Sequence, residues 1–325
     1  MQRFSTIRRW LLGVVSVGLA SLAAAGVAQA ATQTTLASNM TFPLGGVVLQ
    51  GANGSTHLWS PDHINGVCRI DATGLNQGSC VLFVNGSALK PGQLSYDPVN
   101  NYIYVPDLSS KSLGVIRLKY DPNGDGGNGA ISFFDRTVLA PNCGIGGNLP
   151  WGSALGPDGN LYVSFKKTSN IVRIKNPTAL TIPCSDVQVM GTAGDGKKSF
   201  ALAFLGTTLA ETNNNGVGII GHADQCATAA TGTCRSSEVV VGRIPSPYGI
   251  AGDATTNSLW VGGLDGVYRM TLDGTISLYQ PEPAQVVGLT VSDPRAAAGT
   301  PTLYGSFDTT RGLVPNTGTL FRVDP

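Results

Sequence analysis

The sequence predicts an all-β fold of six similar units, and three observations carry this prediction. An extended hydrophobic and aromatic run returns six times, and in five units a later run contains hydrophobic-x-Arg-hydrophobic. Central positions of the first runs are spaced by 45, 58, 47, 51 and 44 residues. These positions are Trp59, Tyr104, Tyr162, Leu209, Trp260 and Tyr304. Glycine occupies 43 positions and charged residues only 13% of the chain, which suits strands and turns. Such repeats are typical of the blades of a β-propeller.

The third unit shows the predicted blade most clearly. Residues 150–155 form its innermost strand, and 157–160 carry the Asp-Gly that favours a tight hairpin. Residues 161–164 and 171–174 are its second and third strands. The other units follow the same order at 46–70, 94–118, 200–220, 247–270 and 285–323, although the fourth lacks the arginine.

The ends of the chain are predicted to close the ring. The sixth unit stops after its third strand, at 320–323, and residues 33–43 precede the first unit. We expect this N-terminal segment to complete the last blade, because such closure removes the open edges of the sheet.

Residues 1–30 are predicted to be a cleaved bacterial export signal. Arg3, Arg8 and Arg9 form a basic start, 10–27 are apolar, and 28–30 read Ala-Gln-Ala, a signal-peptidase pattern. A membrane anchor is less favoured because the apolar stretch is short. The Arg8-Arg9 pair leaves the twin-arginine route open beside the general secretory route. Residues 31–325 are then one propeller domain, periplasmic or secreted.

Charge and cysteine content limit the partners and the stabilising bonds. Removal of the signal leaves 18 basic and 20 acidic residues, so neither nucleic acid nor an anionic membrane is expected as a partner. A small polar ligand or an extracytoplasmic protein remains as the expected partner.

Six cysteines in an exported chain predict disulfides, and no Cys-x-x-Cys spacing indicates zinc. Local spacing favours Cys68–Cys80 and Cys226–Cys234, with Cys143–Cys184 by elimination; other pairings remain open.

The motifs resemble those of a known superfamily. Pro-x-Gly, Asp-Gly-Asn-Leu-Tyr-Val at 158–163 and Ile-Val-Arg-Ile at 171–174 are similar to NHL-repeat and virginiamycin B lyase-like six-bladed propellers. They also resemble gluconolactonase-type propellers, and the resemblance covers 43–325. It specifies the fold better than the activity, because this architecture carries many unrelated functions.

The blade order predicts a ligand rim on one face of the ring. Second strands end and inner strands begin on this face, which brings together polar and aromatic candidates from separate blades. They are Asp62, His63, Asp107, Asn148, Trp151, Lys198, Phe200, Glu211, Tyr248, Gln285 and Asp308. Such a rim suits a polar organic ligand or a cation. For each residue, an ordinary role in a turn or in packing is the alternative.

The resemblance implies two enzyme activities, and the sequence departs from both. Gluconolactonase-like propellers hold an axial divalent cation with Glu, Asn and Asp; Glu211 is the one acid in a comparable context, and 44–46 lack an acid. Virginiamycin lyase-type enzymes use His and Glu with magnesium, but His57, His63 and His222 cannot be matched to that motif. We therefore predict a binding or scaffold module. The alternative is a metal-dependent lactonase or lyase using Glu211 with Asp62, Asp107 or Asp308.

Two glycine-containing loops invite specific interpretations. Asp121, Asn123 and Asp125, followed by Gly126, match the start of a calcium loop, although Ser132 replaces the expected glutamate. A hairpin that needs no ion is the alternative. Residues 191–199 do not form a phosphate loop, because Lys198 separates Gly-Lys from Ser199 and a strand follows. The repeated arginines Arg69, Arg117, Arg173, Arg269 and Arg322 are predicted to be structural.

Overall fold

The structure is a computed structural model, and the fold is the predicted six-bladed β-propeller. It describes residues 31–71, 77–81, 83–84, 87–88, 90–108, 114–138, 149–167, 170–179, 182–190, 198–225, 237–292, 301–310 and 314–324. The predicted export signal, Asn148, Cys143, Cys226 and Cys234 lie outside these residues. No helix in the described ranges is both long enough and apolar enough to cross a membrane.

Each blade is a four-stranded antiparallel sheet. The N-terminal strand is β1 (Thr32–Met40). Blade one contains β2 (Val47–Gln50), β3 (Thr56–Asp62), β4 (Gly66–Asp71) and β5 (Gln77–Val81). A short hairpin follows, β6 (Phe83–Val84) and β7 (Ser87–Ala88). Blade two contains β8 (Ser95–Asp97), β9 (Tyr102–Pro106), β10 (Gly114–Asp121) and β11 (Ala130–Val138). Blade three contains β12 (Pro150–Leu155), β13 (Leu161–Phe165), β14 (Ile171–Ile174) and β15 (Val187–Val189).

The remaining blades repeat this order. Blade four contains β16 (Ser199–Leu205), β17 (Thr208–Asn213), β18 (Gly216–Ile220) and β19 (Ser237–Val241). Blade five contains β20 (Ile250–Asp253), β21 (Ser258–Gly262), β22 (Gly266–Met270) and β23 (Ile276–Pro281). Blade six contains β24 (Val286–Val291), β25 (Leu303–Asp308) and β26 (Gly318–Asp324). Short 3-10 turns are Asp125–Gly127, Cys184–Asp186 and Ala223–Gln225.

The predicted closure of the ring is confirmed. β1 pairs antiparallel with β26, from Thr32 opposite Asp324 to Met40 opposite Gly318. The first strand of the described chain is therefore the outermost strand of the last blade. This pairing links the two ends of the domain by main-chain hydrogen bonds and covers the edge that β26 would otherwise expose.

The hydrophobic core lies mainly between neighbouring blades. Among the described residues, six buried clusters each combine side chains from two adjacent blades. Between blades one and two, for example, Trp59 packs with Ile103 and Tyr120. Second strands such as β13 and β21 are buried along their whole length, because neighbouring blades cover both of their faces, whereas the outer strands β1 and β23 are partly exposed. A seventh cluster lies at one end of the ring and belongs to the candidate site.

The repeated arginines connect consecutive blades. Arg69 donates to Gly129 O at 2.8 Å, and Arg117 donates to Pro177 O at 3.1 Å. Arg173 donates to Ala223 O and Asp224 O at 3.3 and 3.1 Å. Each contact reaches an outer loop of the next blade, as the structural interpretation of these residues expects. Arg269 and Arg322 instead bond within their own blades, to Ser258 and Asp324.

The Asp121 loop uses its carboxylates within the protein. The Asp125 carboxylate forms an ion pair with Arg69 of blade one at 2.6 Å, and Asp121 Oδ1 accepts the Asn123 backbone N–H. The Asn123 backbone carbonyl accepts from Gly127. These contacts are compatible with a hairpin that needs no ion, and the calcium interpretation of Asp121, Asn123 and Asp125 remains a prediction.

The backbone is compatible with one predicted disulfide. Cys68 lies opposite Cys80 in the pairing of β4 with β5, which is the neighbouring-strand arrangement expected for Cys68–Cys80. Among the described cysteines, none is a free thiol. The three pairings remain predictions, since Cys143, Cys226 and Cys234 lie outside the described ranges.

Candidate functional site

An aromatic layer covers one end of the propeller axis. We call this end, where second strands finish and inner strands begin, the funnel face. Inner-strand starts contribute Leu44, Trp151, Phe200 and Val287 to one buried cluster, with Phe42 and Leu108 in it and Tyr248 packed against it. The Phe200 and Tyr248 rings are stacked, 4.5 Å apart with an interplanar angle of 16°. Trp151 contacts Phe42, Phe200 and Tyr248 edge-on or tilted, at 5.8 to 6.4 Å.

One glutamine closes the axis directly below this layer. In five blades the next residue toward the centre is small: Gly45, Gly152, Ala201, Gly249 and Gly288. Blade two carries Gln93 instead, only 7% exposed. Its Nε2 donates to Leu202 O and its Oε1 accepts from Leu202 N, both at 2.9 Å, across the ring in blade four. A Cβ added to Gly152 would lie 2.8 Å from Gln93 Oε1, so the small neighbours make room for this side chain.

A cavity of about 240 Å³ opens on the funnel face beside the aromatic layer. We call it the funnel cavity. Its lining residues come from several blades: Phe42, Lys166, Lys198, Phe200, Asn214, Ser246, Pro247, Tyr248 and Gln285. The chain holds Phe42 and Ser246 at φ of 47° and 44°, conformations that non-glycine residues adopt rarely. Such strain clusters at ligand sites. Gln285 Nε2 donates to Ser246 O at 2.8 Å, which joins two walls of the cavity.

Two lysines give this cavity a positive charge. Lys166 Nζ lies 3.9 Å from the centroid of the Trp151 ring. Burial lowers the pKa of Lys166, and the charge of Lys198 lowers it further. The Trp151 face acts in the opposite direction, since a ring face favours a cation. Among the described residues, neither lysine takes part in an ion pair.

His63 lies against the same aromatic layer as a neutral imidazole. Its ring is 5.1 Å from Phe42 and 6.4 Å from Trp151, both edge-on. Burial lowers its pKa to about 4, and the positive charges of Lys90 and Lys166 act in the same direction. Its Nε2 is buried and has no hydrogen-bond partner among the described residues. An uncharged nitrogen at this position can accept or donate one hydrogen bond.

Two of the predicted rim carboxylates stabilise turns. Asp62 accepts the backbone N–H groups of Thr41, Ile64 and Asn65 at 2.8 to 2.9 Å. Asp308 accepts from Thr310 N and from the hydroxyls of Thr310 and Thr317 at 2.8 to 3.0 Å. Both carboxylates are almost fully buried. Turn formation by a short polar side chain explains why Asp recurs where second strands end.

The other predicted site residues have different positions. Asp107 is also buried, at the end of the second strand of blade two, where its backbone pairs with Pro91. Glu211 is 1% exposed inside β17, between Leu202 and Gly218 of the neighbouring strands, and does not line the funnel cavity. His63, Trp151, Lys198, Phe200, Tyr248 and Gln285 do come together at the funnel face. Asn148 lies outside the described residues.

The described residues do not fit an axial divalent cation. The axis is covered by Leu44, Trp151, Phe200, Tyr248 and Val287, and the layer below is filled by the Gln93 amide. Hard cations need several oxygen ligands, and this layer offers ring faces and aliphatic groups. Within the described ranges, no cluster of three or more His, Cys, Asp or Glu side chains could hold a metal. We therefore assign no chemical step to an axial metal.

Sequence reasoning missed Phe42, Gln93, Lys166, Asn214 and Ser246. The alignment of inner-strand starts contains a signal for Gln93, because five small residues stand opposite one long amide. Lys166 follows the second strand of blade three, where blades one, two, four and six carry Asp or Asn and blade five carries Gly. The positive φ of Phe42 and Ser246 has no signature in the sequence.

Comparison with known proteins identifies the fold. No family model matches this chain, and no curated protein matches it. Solved structures do match, and one is a gluconolactonase from Xanthomonas campestris, 13% identical, with TM-score 0.62, covering 90% of this chain and 89% of that one.

The protein is a six-bladed propeller like the gluconolactonases and virginiamycin B lyases. The Staphylococcus aureus virginiamycin B lyase is 14% identical with TM-score 0.53, covering 91% of this chain and 99% of that one. A calcium-binding regucalcin from Agrobacterium tumefaciens is 13% identical with TM-score 0.57, covering 88% and 90% of the two chains. At such identities the likeness establishes the fold alone.

Proposed function

We propose that this protein acts on a small organic molecule at the funnel cavity. The observation that carries the proposal is the cavity of about 240 Å³ with an aromatic floor and polar groups from separate blades. Small-molecule sites combine apolar walls with a few oriented polar groups. A flat scaffold surface would not need the strained Ser246 backbone or the amide contact that joins the cavity walls.

A second cavity makes the proposal testable. A cavity of about 560 Å³ opens at the opposite face between blades one, two and six, and the lining residues that the structure describes, Tyr96 among them, carry no charge. A thermal-shift screen with small aromatic acids, amides and lactones is run on the wild type, Tyr248→Leu and the matched control Tyr96→Leu. We expect hits that Tyr248→Leu loses and Tyr96→Leu keeps. Loss only in Tyr96→Leu would reject the funnel cavity.

The second candidate function is that of a lactone hydrolase or lyase. The similar solved structures include gluconolactonases and virginiamycin B lyase, which supports an enzyme over a scaffold protein. Neutral His63, which can accept a proton, lies at this face and supports this candidate. Among the described residues, ring faces and aliphatic groups cover the axis in place of oxygen ligands, which counts against the metal-dependent form.

A lactone panel tests this activity by proton release, with and without divalent cations or chelator. Turnover that Lys166→Met lowers and chelator leaves unchanged would support a metal-independent enzyme at the funnel cavity. Turnover lost in chelator and in Glu211→Gln would support the metal-dependent form instead. Absence of turnover with retained ligand binding would leave a binding protein.

Export remains part of the proposal. The basic and apolar start of the chain and Ala28-Gln29-Ala30 support it. Expression in a Gram-negative host, followed by N-terminal sequencing of the periplasmic fraction, should give a chain that begins at Ala31. An intact Met1 terminus retained in the membrane would support an anchor.

A further inference from the structure

We infer that the ligand of the funnel cavity is a small organic anion with a planar apolar body. This inference rests on the proposed function, since it names the ligand class for the same cavity. It draws on the charge of the cavity, the shape of its floor and its size.

The charge of the lining favours an anion. Lys166 and Lys198 both line the cavity, and none of the lining residues that the structure describes is acidic. Their mutual repulsion and the burial of Lys166 both disfavour two ammonium groups at one site. A carboxylate bound between them would relieve this repulsion and accept charge-assisted hydrogen bonds. The Lys166 ammonium lies 3.9 Å from the centroid of the Trp151 ring, and the attraction between a cation and a ring face holds it in this position.

The floor favours a flat ring. Phe200 and Tyr248 are stacked on each other at 16°, and this pair lines the same cavity as Phe42 and Pro247. A planar aromatic body can pack against such a surface, whereas a strongly hydrated polyol would leave the rings without an apolar contact. The volume of about 240 Å³ is below the range for drug-sized ligands, which limits the ligand to one or two fused rings.

Two amides on the cavity lining add a second requirement. Asn214 and Gln285 place amides on the lining, and the Gln285 Nε2 is already bonded to Ser246 O. A hydroxyl on the ligand can donate to the remaining amide oxygen. An opened lactone is itself a hydroxy-carboxylate, so the inferred class includes the product of the second candidate function.

Isothermal titration with two probes of the same shape tests the inference. The anion 2-naphthoate and neutral 2-naphthamide are titrated into the wild type, Lys166→Met and the control Lys175→Met, whose lysine lies at the other end of blade three. We expect wild type and Lys175→Met to prefer the anion by about tenfold, the gain of one charge-assisted contact. Lys166→Met should reduce this preference to about threefold or less and retain naphthamide binding.

The outcomes separate this inference from the proposed function. Equal affinity for both probes in the wild type, or an unchanged anion preference in Lys166→Met, would overturn the inference. Absence of 2-naphthoate binding at millimolar concentration would overturn it as well. If the Tyr248→Leu variant bound both probes with wild-type affinity, and its melting temperature showed that it is folded, the proposed cavity itself would be rejected.

Discussion

At the scale of single residues, Gln93 decides what the axis can hold. Its side chain crosses to blade four, where its amide bonds both the N–H and the C=O of Leu202. Five other blades contribute only glycine or alanine at this depth. The amide thus occupies the space left by these small residues. It separates the funnel face from the opposite end of the ring.

Replacing Gln93 should destabilise the protein strongly. Gln93→Ala removes two good hydrogen bonds and leaves a buried cavity with an unsatisfied backbone, so we expect a loss of about 2–4 kcal/mol in the free energy of unfolding. Urea denaturation measures it. Gln50→Ala, at an exposed glutamine, is the control and should change stability by less than about 0.5 kcal/mol. Similar losses in both variants would reject the axial role of Gln93.

His63 should make the protein sensitive to acid. Its pKa is about 4 in the folded protein, below the ordinary value of 6.5. The unfolded chain therefore binds more protons between these values, and stability is lost as pH falls from 6.5 to 4. We expect His63→Gln to lose less stability than the wild type between pH 7 and 4.5. Urea denaturation at both pH values checks this, with exposed His222→Gln as the control; equal losses in His63→Gln and wild type would contradict it.

At the scale of elements, the repeated third strand carries both the fold signal and an inter-blade contact. Arg117 is fully buried, donates to Pro177 O, and lies 5.3 Å from the Tyr102 ring centroid. Arg322 pairs with Asp324 on the surface of its own strand. The same motif is therefore expected to contribute different amounts to the free energy of unfolding in different blades.

The two arginines provide a matched pair of variants. Arg117→Met should lower the free energy of unfolding by about 1–3 kcal/mol, because Pro177 O loses its buried donor. Arg322→Met should cost less than about 1 kcal/mol, since a solvent-accessible ion pair within one strand contributes little. Chemical denaturation of both variants measures the difference. Equal costs would show that the inter-blade contact adds no stability.

The strands could be predicted from the sequence for a physical reason, whereas the structural roles of the acidic rim residues could not. Alternating turns and hydrophobic runs specify strands locally, and closure by residues 33–43 follows from an unpaired edge. Asp62 and Asp308, however, lie at the ends of second strands, where ligand-binding residues are also expected. The sequence therefore does not distinguish the two roles. Their use as turn acceptors depends on local backbone N–H directions, which composition and spacing do not encode. Aromatic starts of inner strands were informative because the propeller axis brings equivalent positions together.

At the scale of the whole molecule, a buried acid lies beside the strand that closes the ring. Gln33 of β1 donates to Glu282 Oε2 at 3.1 Å, just after the outermost strand of blade five. Burial raises the pKa of Glu282 to about 7 from 4.5. Between these values the folded protein binds more protons than the unfolded chain, so stability falls as pH rises.

Removing this acid should stabilise the closed ring in alkaline solution. We expect Glu282→Gln to melt above the wild type at pH 8 and close to it at pH 4.5, since the glutamine carries no charge to bury. Calorimetric melts at both pH values make the comparison. A variant that melted below the wild type at pH 8 would show that the ionised carboxylate is stabilising.

The central claim is that the funnel cavity is the ligand site of this propeller. The most direct measurement is a crystal structure of residues 31–325 with 2-naphthoate. We predict the naphthalene ring packed against the Phe200–Tyr248 pair, with its carboxylate between Lys166 and Lys198. Ligand in the cavity at the opposite face, or none in the funnel cavity at saturating concentration, would contradict the account.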